Sequence, residues 1–220
     1  AGPDPCSRAQ LRRRARSPSR CPHHRLRRPG RSDAGSRRPP GRVLLDPRPG
    51  PDLGLHPAPE YDSPDKSGTD PAECAAVLAP ISEQQGGAAS NAVARFSGPN
   101  FSSIDEDAAS YSDTGTAEAF TAIQQAWAGC TTFSGTDADG VSVDYALAGR
   151  EQSSVGDASA SVRLTTSSEG FTLISDVVVA VVDSTVVQIV VSDQSGLEPE
   201  TVTAVAEAAV ERIRSVTPSM

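Results

Sequence analysis

Residues 171–192 read FTLISDVVVAVVDSTVVQIVVS, and this stretch decides the fold of the chain. It consists of two apolar runs of strand length, rich in β-branched residues, which meet at Asp183 and Ser184. Valine and isoleucine favour strands, and the two polar residues are turn formers, so we predict an antiparallel hairpin. Asp176, Asp183 and Gln188 interrupt the apolar sequence too often for a membrane-spanning helix, which needs about 18 uninterrupted residues.

Both faces of this predicted hairpin are apolar. If Asp183 and Ser184 form the loop, Val182 lies opposite Thr185, and this register decides which side chains share a face. The first face carries Val178, Ala180, Val182, Val187, Ile189 and Val191. The second carries Val177, Val179, Val181, Val186, Gln188 and Val190. Such strands belong at the centre of a sheet and are covered on both sides, by the protein or on one side by a ligand or partner.

We take the second face as the candidate ligand or partner face, since two predicted helices can cover the first. One alternative stays open at this point. A helix beginning at Asp70 and the loop 82–90, or a second copy of the chain, would also cover the second face.

The composition of the chain changes at about residue 60. The first 60 residues hold 14 of the 20 basic residues and 12 of the 18 prolines, without Phe, Tyr, Trp or Ile. Such a segment cannot bury enough apolar surface to offset its chain entropy, so residues 1–68 are predicted to be disordered. This segment has three interpretations: a basic arm, a solvated tail, or the translation of GC-rich DNA in the wrong reading frame. We favour the last. Because no aromatic residue is interleaved for base stacking, we expect no nucleic-acid partner.

Residues 61–220 have 23 acidic against six basic residues, a formal charge of −17. Cys74 and Cys130 are the two cysteines of this part. A small acidic domain with one cysteine pair is typical of an oxidising, extracytoplasmic compartment, where the pair forms a disulfide. Two unrelated buried thiols remain the alternative. Nothing in the first 60 residues resembles the apolar core of a signal peptide, so membrane attachment would need an anchor that is not visible here.

Periodicity predicts two to three helices and a sheet. Helices are expected from Asp70, whose segment would place Cys74 on a buried face and end at Pro80, and over 116–128 and 198–214. Strands are expected over 131–134, 141–147, 159–166, 171–182 and 185–192, with weaker patterns at 91–96 and 107–112. We therefore expect an α+β domain over 69–216, with an antiparallel sheet of about five to six strands and the helices mainly on one face. Residues 217–220 would be a tail.

Few residues of the predicted domain are suited to catalysis or metal binding. No His lies between residues 61 and 220, which excludes Ser-His-Asp and Cys-His catalysis and the commonest metal ligand. Asp137, Asp139 and Gly140 resemble part of a calcium loop, but the position of its bidentate Glu is Ala146, so a hairpin turn is the better interpretation. We expect no catalytic residue, metal or cofactor. A histidine-independent hydrolase that uses surface carboxylates, and a structural envelope protein, remain the alternatives.

The order of these features resembles a known family. Four features occur in the same order as in the extracytoplasmic sensor domain of the mycobacterial serine/threonine kinase H type, which the chain therefore resembles. They are the sequence DPAEC at 70–74, the helix ending AWAGC at 126–130, the valine-rich hairpin and the closing amphipathic helix. Related small mycobacterial lipoproteins carry a similar domain. The resemblance covers about residues 70–214. This chain lacks the second cysteine pair of that family, so only Cys74 and Cys130 carry over, and it shows no kinase domain.

The resemblance implies a six-stranded sheet packed with helices, a broad cleft, and binding of an extracellular ligand or cell-wall component. From the residues and this resemblance together, we expect a non-enzymatic sensor-like domain of the cell envelope or a secreted one. Its partner would be a small molecule or a cell-envelope component, and its oligomeric state is left open.

Overall fold

The computed structural model describes residues 53–58, 68–112, 114–137 and 139–216, without the side chain of Val216. Most of the predicted disordered segment 1–68 and the tail 217–220 lie outside the described residues. Residues 53–58 of that segment are described, and two of them pair with a strand of the sheet.

The described residues form one antiparallel sheet of nine strands. In chain order the strands are β1 His56–Pro57, β2 Thr69–Asp70, β3 Ser90–Ser97, β4 Ser103–Ser110, β5 Thr132–Thr136, β6 Ser142–Gly149, β7 Ala158–Ser168, β8 Phe171–Val182 and β9 Thr185–Asp193. In space their order is β1-β3-β4-β9-β8-β7-β6-β5-β2. The prediction of five to six strands is therefore wrong, although the fold is α+β. Two of the additional strands, β1 and β2, have two residues each, too few to show any alternation in the sequence.

The quoted stretch forms β8 and β9 at the middle of this sheet. Val182 pairs with Thr185 across the loop of Asp183 and Ser184, which confirms the predicted register. Asp183 has φ of 53°, a left-handed conformation that aspartate tolerates better than most residues. Every side chain of the hairpin consequently lies on the face that this register predicts.

Helices cover both faces of the sheet, and the prediction of helices mainly on one face is wrong. The first face packs against α4, Pro199–Val216, and the second against α3, Gly115–Gly129. The first core contains Val178, Ala180, Val182, Val187, Ile189 and Val191 with Val202, Val205, Ala209 and Ile213 of α4. The second contains Val177, Val179 and Val186 with Ala119, Ile123 and Trp127 of α3. A hairpin that is apolar on both faces needs an apolar layer against each, and the two long helices supply one apiece.

The segment between β2 and β3 is also helical, but differently from the prediction. Asp70 belongs to β2, and a 3-10 turn over Ala72–Cys74 leads into α1, Ala75–Leu78. Pro80 ends α1 as predicted, yet the chain restarts as α2, Ile81–Gln84. A proline is tolerated at the start of a helix because its missing amide has no intrahelical partner there.

A disulfide joins Cys74 to Cys130, across 56 positions of the sequence. It ties the start of α1 to the end of α3, and both cysteines are buried in the second core. The predicted pairing is confirmed, and α1 and α2 are thereby held over the second face beside α3.

Candidate functional site

The six residues of the predicted ligand face have different surroundings in the structure. Val177, Val179 and Val186 are buried in the core under α3, and Val181 is half-buried. Gln188, 9% exposed, and the half-buried Val190 lie farther along the same face and line a cleft. Of the proposed face, this end of β9 is therefore the part that borders the cleft.

This cleft, which we call the acidic cleft, has a volume of about 260 Å³ and lies between the α1–α2 connection and strands β3, β4 and β9. Its wall and floor are formed by Leu78, Ala79, Pro80, Val93, Arg95, Asp105, Glu106, Asp107, Gln188 and Val190. Larger cavities occur elsewhere, including one of about 480 Å³ over β5 and β6. The acidic cleft is the candidate site because it combines an apolar wall with carboxyl groups of perturbed acidity, as functional pockets do.

Strand pairing places the two carboxyl groups on the floor of the cleft. Asp105 pairs with Arg95 of β3 and Val190 of β9, and Asp107 pairs with Val93 and Gln188. Being two residues apart on one strand, Asp105 and Asp107 point to the same side of the sheet. Glu106 between them points to the other side, where it forms an ion pair with Arg212 of α4.

Asp107 is the most unusual ionisable group of the cleft. It is only 8% exposed, and its Oδ2 accepts a hydrogen bond of 2.8 Å from the backbone amide of Ile81, the first residue of α2. Its Oδ1 is buried without a hydrogen-bond partner in the described structure. Burial raises the pKa of the Asp107 carboxyl to about 6, although the Ile81 amide and the charge of Arg95 act in the opposite direction.

Asp105 lies nearer the mouth of the cleft, with its side chain 41% exposed. Its Oδ1 is 3.3 Å from Nε of Arg95, and its Oδ2 accepts a hydrogen bond of 3.4 Å from the Ser103 hydroxyl. Burial raises the pKa of Asp105 as well, and Arg95 and Ser103 offset only part of that effect. The two carboxyls thus differ in exposure, one covered by α2 and one open.

A pair of glutamines joins α2 to the sheet beside Asp107. Nε2 of Gln84 donates to Oε1 of Gln188 at 3.2 Å and to the carbonyl of Ala79 at 2.6 Å. Together with the Asp107 bond to Ile81, these contacts position the four-residue helix at the side of the cleft. Ile81 itself is fully buried and anchors the helix to the second core.

Sequence reasoning missed Asp105, Asp107 and Arg95. The weak strand pattern was placed at 107–112, whereas β4 spans Ser103–Ser110. The run SIDEDAAS over 103–110 does contain a signal, because its alternation puts carboxylates on both faces of a strand that leads into two buried alanines. The sequence does not show that α2 covers Asp107, because the contact joins Asp107 to Ile81, 26 residues earlier in the chain.

Other polar clusters serve the fold. Asp176, with a side chain 1% exposed, forms ion pairs with Nη1 of Arg150 at 2.5 Å and with Nε of Arg163 at 2.8 Å. Nη2 of Arg150 also donates to the carbonyl of Leu197 at 2.9 Å. Asp137 Oδ1 accepts from the amides of Asp139 and Val141, as a hairpin turn requires. Within the described residues, no three His, Cys, Asp or Glu side chains are grouped to hold a metal ion.

These features define a class of protein: an α+β domain with one antiparallel sheet between two helical layers, one disulfide and a small acidic cleft. No helix among the described residues has the length and apolar character to cross a membrane. No family model matches the chain, and no curated protein matches it significantly.

Among solved structures, the chain is similar to the extracellular domain of PknH from Mycobacterium tuberculosis. The TM-score is 0.55 at 13% sequence identity, over 73% of this chain and 85% of that domain. At this identity the comparison shows a similar fold. The resemblance in sequence order is thus matched by a similar fold, but the six-stranded sheet that it implied is wrong, because the sheet has nine strands.

Proposed function

We propose that this chain is a non-enzymatic, extracytoplasmic sensor-like domain of the cell envelope, or a secreted one, which binds a small ligand or envelope component in the acidic cleft. The observation that carries the proposal is a pair of carboxyl groups on the floor of an open cavity, Asp105 with a side chain 41% exposed and Asp107, which is 8% exposed with one oxygen unpaired. Keeping an ionisable group in such a place costs stability, and perturbed carboxyls of this kind cluster at functional sites. The similarity to an extracellular kinase domain supports the location and the sensor role.

A hydrolase that uses Asp105 and Asp107 is the second candidate, since the two carboxyls line one cleft and one has a pKa of about 6. Proton transfer requires the catalytic oxygen to come within about 3 Å of the substrate. In Asp107, Oδ2 is occupied by the Ile81 amide and Oδ1 is covered, so neither oxygen is presented to a bound substrate. The geometry therefore favours binding over hydrolysis.

The test is a fragment titration of the full chain, followed by NMR of its methyl groups. We expect cleft-binding fragments to shift the methyl resonances of Leu78, Val93 and Val190, and to leave those of Val178 and Val187 unchanged. The last two are fully buried under α4 and serve as internal controls.

A matched pair of variants locates the site. Val190→Trp fills the cleft and should weaken every cleft-binding fragment by at least about tenfold, while Val141→Trp, at the turn before β6, should not. Circular dichroism establishes that both variants fold. A library in which no fragment shifts the cleft methyls, or equal binding by the two variants, would contradict the proposal.

A further inference from the structure

We propose that the acidic cleft binds the protonated amino group of a small organic ammonium compound that has a short aliphatic body. This inference rests on the proposed function, because it names the chemical class of ligand for the same cleft.

The charges facing the cleft have an excess of negative sign. Asp105 and Asp107 lie on its floor, and Arg95 is the single basic side chain among its lining residues. Glu83 of α2 adds a further negative charge close enough to act on Asp107. The strand partner of Asp107 on β9 is the neutral Gln188. A cationic group entering the cleft is therefore attracted, and a carboxylate is repelled.

The spacing of the two carboxyls suits one ammonium group. Residues two apart on a strand are separated by about 7 Å, so a nitrogen between Asp105 and Asp107 lies about 4 Å from each. The ammonium would contact the open Asp105 directly, since that side chain is 41% exposed. It would act on the covered Asp107 through its field, which needs no hydrogen bond and is strong in a partly desolvated site.

The remainder of the cleft is apolar and small. Leu78, which is 38% exposed, Pro80, Val93 and Val190 form its wall. The cavity of about 260 Å³ is slightly below the range of about 300–1,000 Å³ for pockets that hold drug-sized ligands. An unbranched or singly branched chain of four to six carbons is about the largest body that such a wall can cover.

The experiment compares three probes of equal length on the full chain at pH 7.5: n-pentylammonium, n-pentanol and pentanoate. Binding is followed by the methyl resonances of Val93 and Val190. We expect n-pentylammonium to shift both resonances saturably, n-pentanol to bind at least about fivefold more weakly, and pentanoate to cause no shift. Asp105→Asn and Asp107→Asn should each weaken n-pentylammonium about tenfold and change n-pentanol less than about twofold. Asp144→Asn, which removes an exposed carboxyl on β6, is the charge control and should bind like the unmodified chain.

Four results would overturn the inference. One is n-pentanol or pentanoate binding as tightly as n-pentylammonium. Another is unchanged n-pentylammonium affinity in both aspartate variants, and the third is displacement of n-pentylammonium by calcium chloride at equal concentration. A complete lack of shift with n-pentylammonium also overturns it, and the proposed function then depends on the fragment titration alone. Because the fragment titration and the probe comparison are read separately, failure of one is distinguishable from failure of the other.

Discussion

At the scale of single residues, two buried aspartates among the described residues are compensated to different degrees. Asp176 has two guanidinium groups within 3 Å, whereas Asp107 has one backbone amide and one unpaired oxygen. A buried charge is stable where it is paired and hydrogen-bonded, and costly where it is not. The two aspartates should therefore respond in opposite ways to replacement by asparagine.

Asp107→Asn should stabilise the domain at pH 7.5 and change its pH dependence. The folded pKa of about 6 lies above the value of about 3.9 for an unfolded chain, so the native state binds the proton more tightly. Asp107 therefore reduces the free energy of unfolding as pH rises from about 4 to about 6, by about 3 kcal/mol in total. Urea unfolding at pH 4.5 and pH 7.5 should show about 2 kcal/mol of this loss, because the unfolded carboxyl is already mostly ionised at pH 4.5.

In the asparagine variant this part of the pH dependence should be absent, because the side-chain carbonyl still accepts from Ile81 and no charge forms. Asp144→Asn should retain it. An Asp107→Asn variant with the same pH dependence as the unmodified chain would show that the carboxyl is not desolvated as described.

Asp176→Asn should destabilise the domain by about 3–5 kcal/mol, because the side chain of Arg150, 8% exposed, then keeps its charge without a carboxylate partner. The matched control is Asp157→Asn, at an ion pair with Arg214 whose side chains are about half exposed, where a loss under about 1 kcal/mol is expected. Guanidinium unfolding compares the two variants. Equal losses would mean that burial does not decide the contribution of these pairs.

At the scale of elements, the segment of α1 and α2 forms the side of the cleft, and four-residue helices have little stability of their own. It is held by the disulfide at Cys74, by the buried side chain of Ile81, and by the bond from Ile81 to Asp107. The cleft therefore depends on the disulfide as well as on the sheet.

Replacing Cys74 and Cys130 together by alanine should reduce stability by about 2–4 kcal/mol, as expected for a loop of 56 residues. Hydrogen exchange should show the largest loss of protection at α2, and the amide of Val179 at the centre of the sheet should lose least. The variant and the unmodified chain should unfold alike in reducing buffer. Uniform loss of protection over both regions would contradict the role given to the disulfide.

The elements themselves could largely be predicted from the sequence. The hairpin register followed from Asp183 and Ser184, and the apolar periods located α3 and α4 to within two residues. The short β1, β2 and α2 could not be predicted, because two to four residues carry no period. The side of the sheet that each helix covers could not be predicted either, because it depends on contacts between residues far apart in the chain.

At the scale of the whole molecule, the candidate site is a consequence of how the two faces are covered. The first face packs on α4, and the second packs on α3 and the short helices, which together do not reach across the floor formed by β3, β4 and the end of β9. Of the predicted ligand face, Gln188 and Val190 line the acidic cleft, whereas Val177, Val179 and Val186 are buried in the second core. The sequence indicates that both faces of the hairpin need an apolar layer, but it does not show how far the layer on the second face extends.

Different helices cover the two faces of the hairpin, and this arrangement leaves the acidic cleft open beside α2. Methyl NOE measurements on the full chain distinguish the two covers. We expect NOEs from Val179 and Val186 to Ile123 of α3, and from Val178 and Val187 to Val205 of α4, without exchange between the sets. NOEs from both sets of valines to the same helix would contradict it.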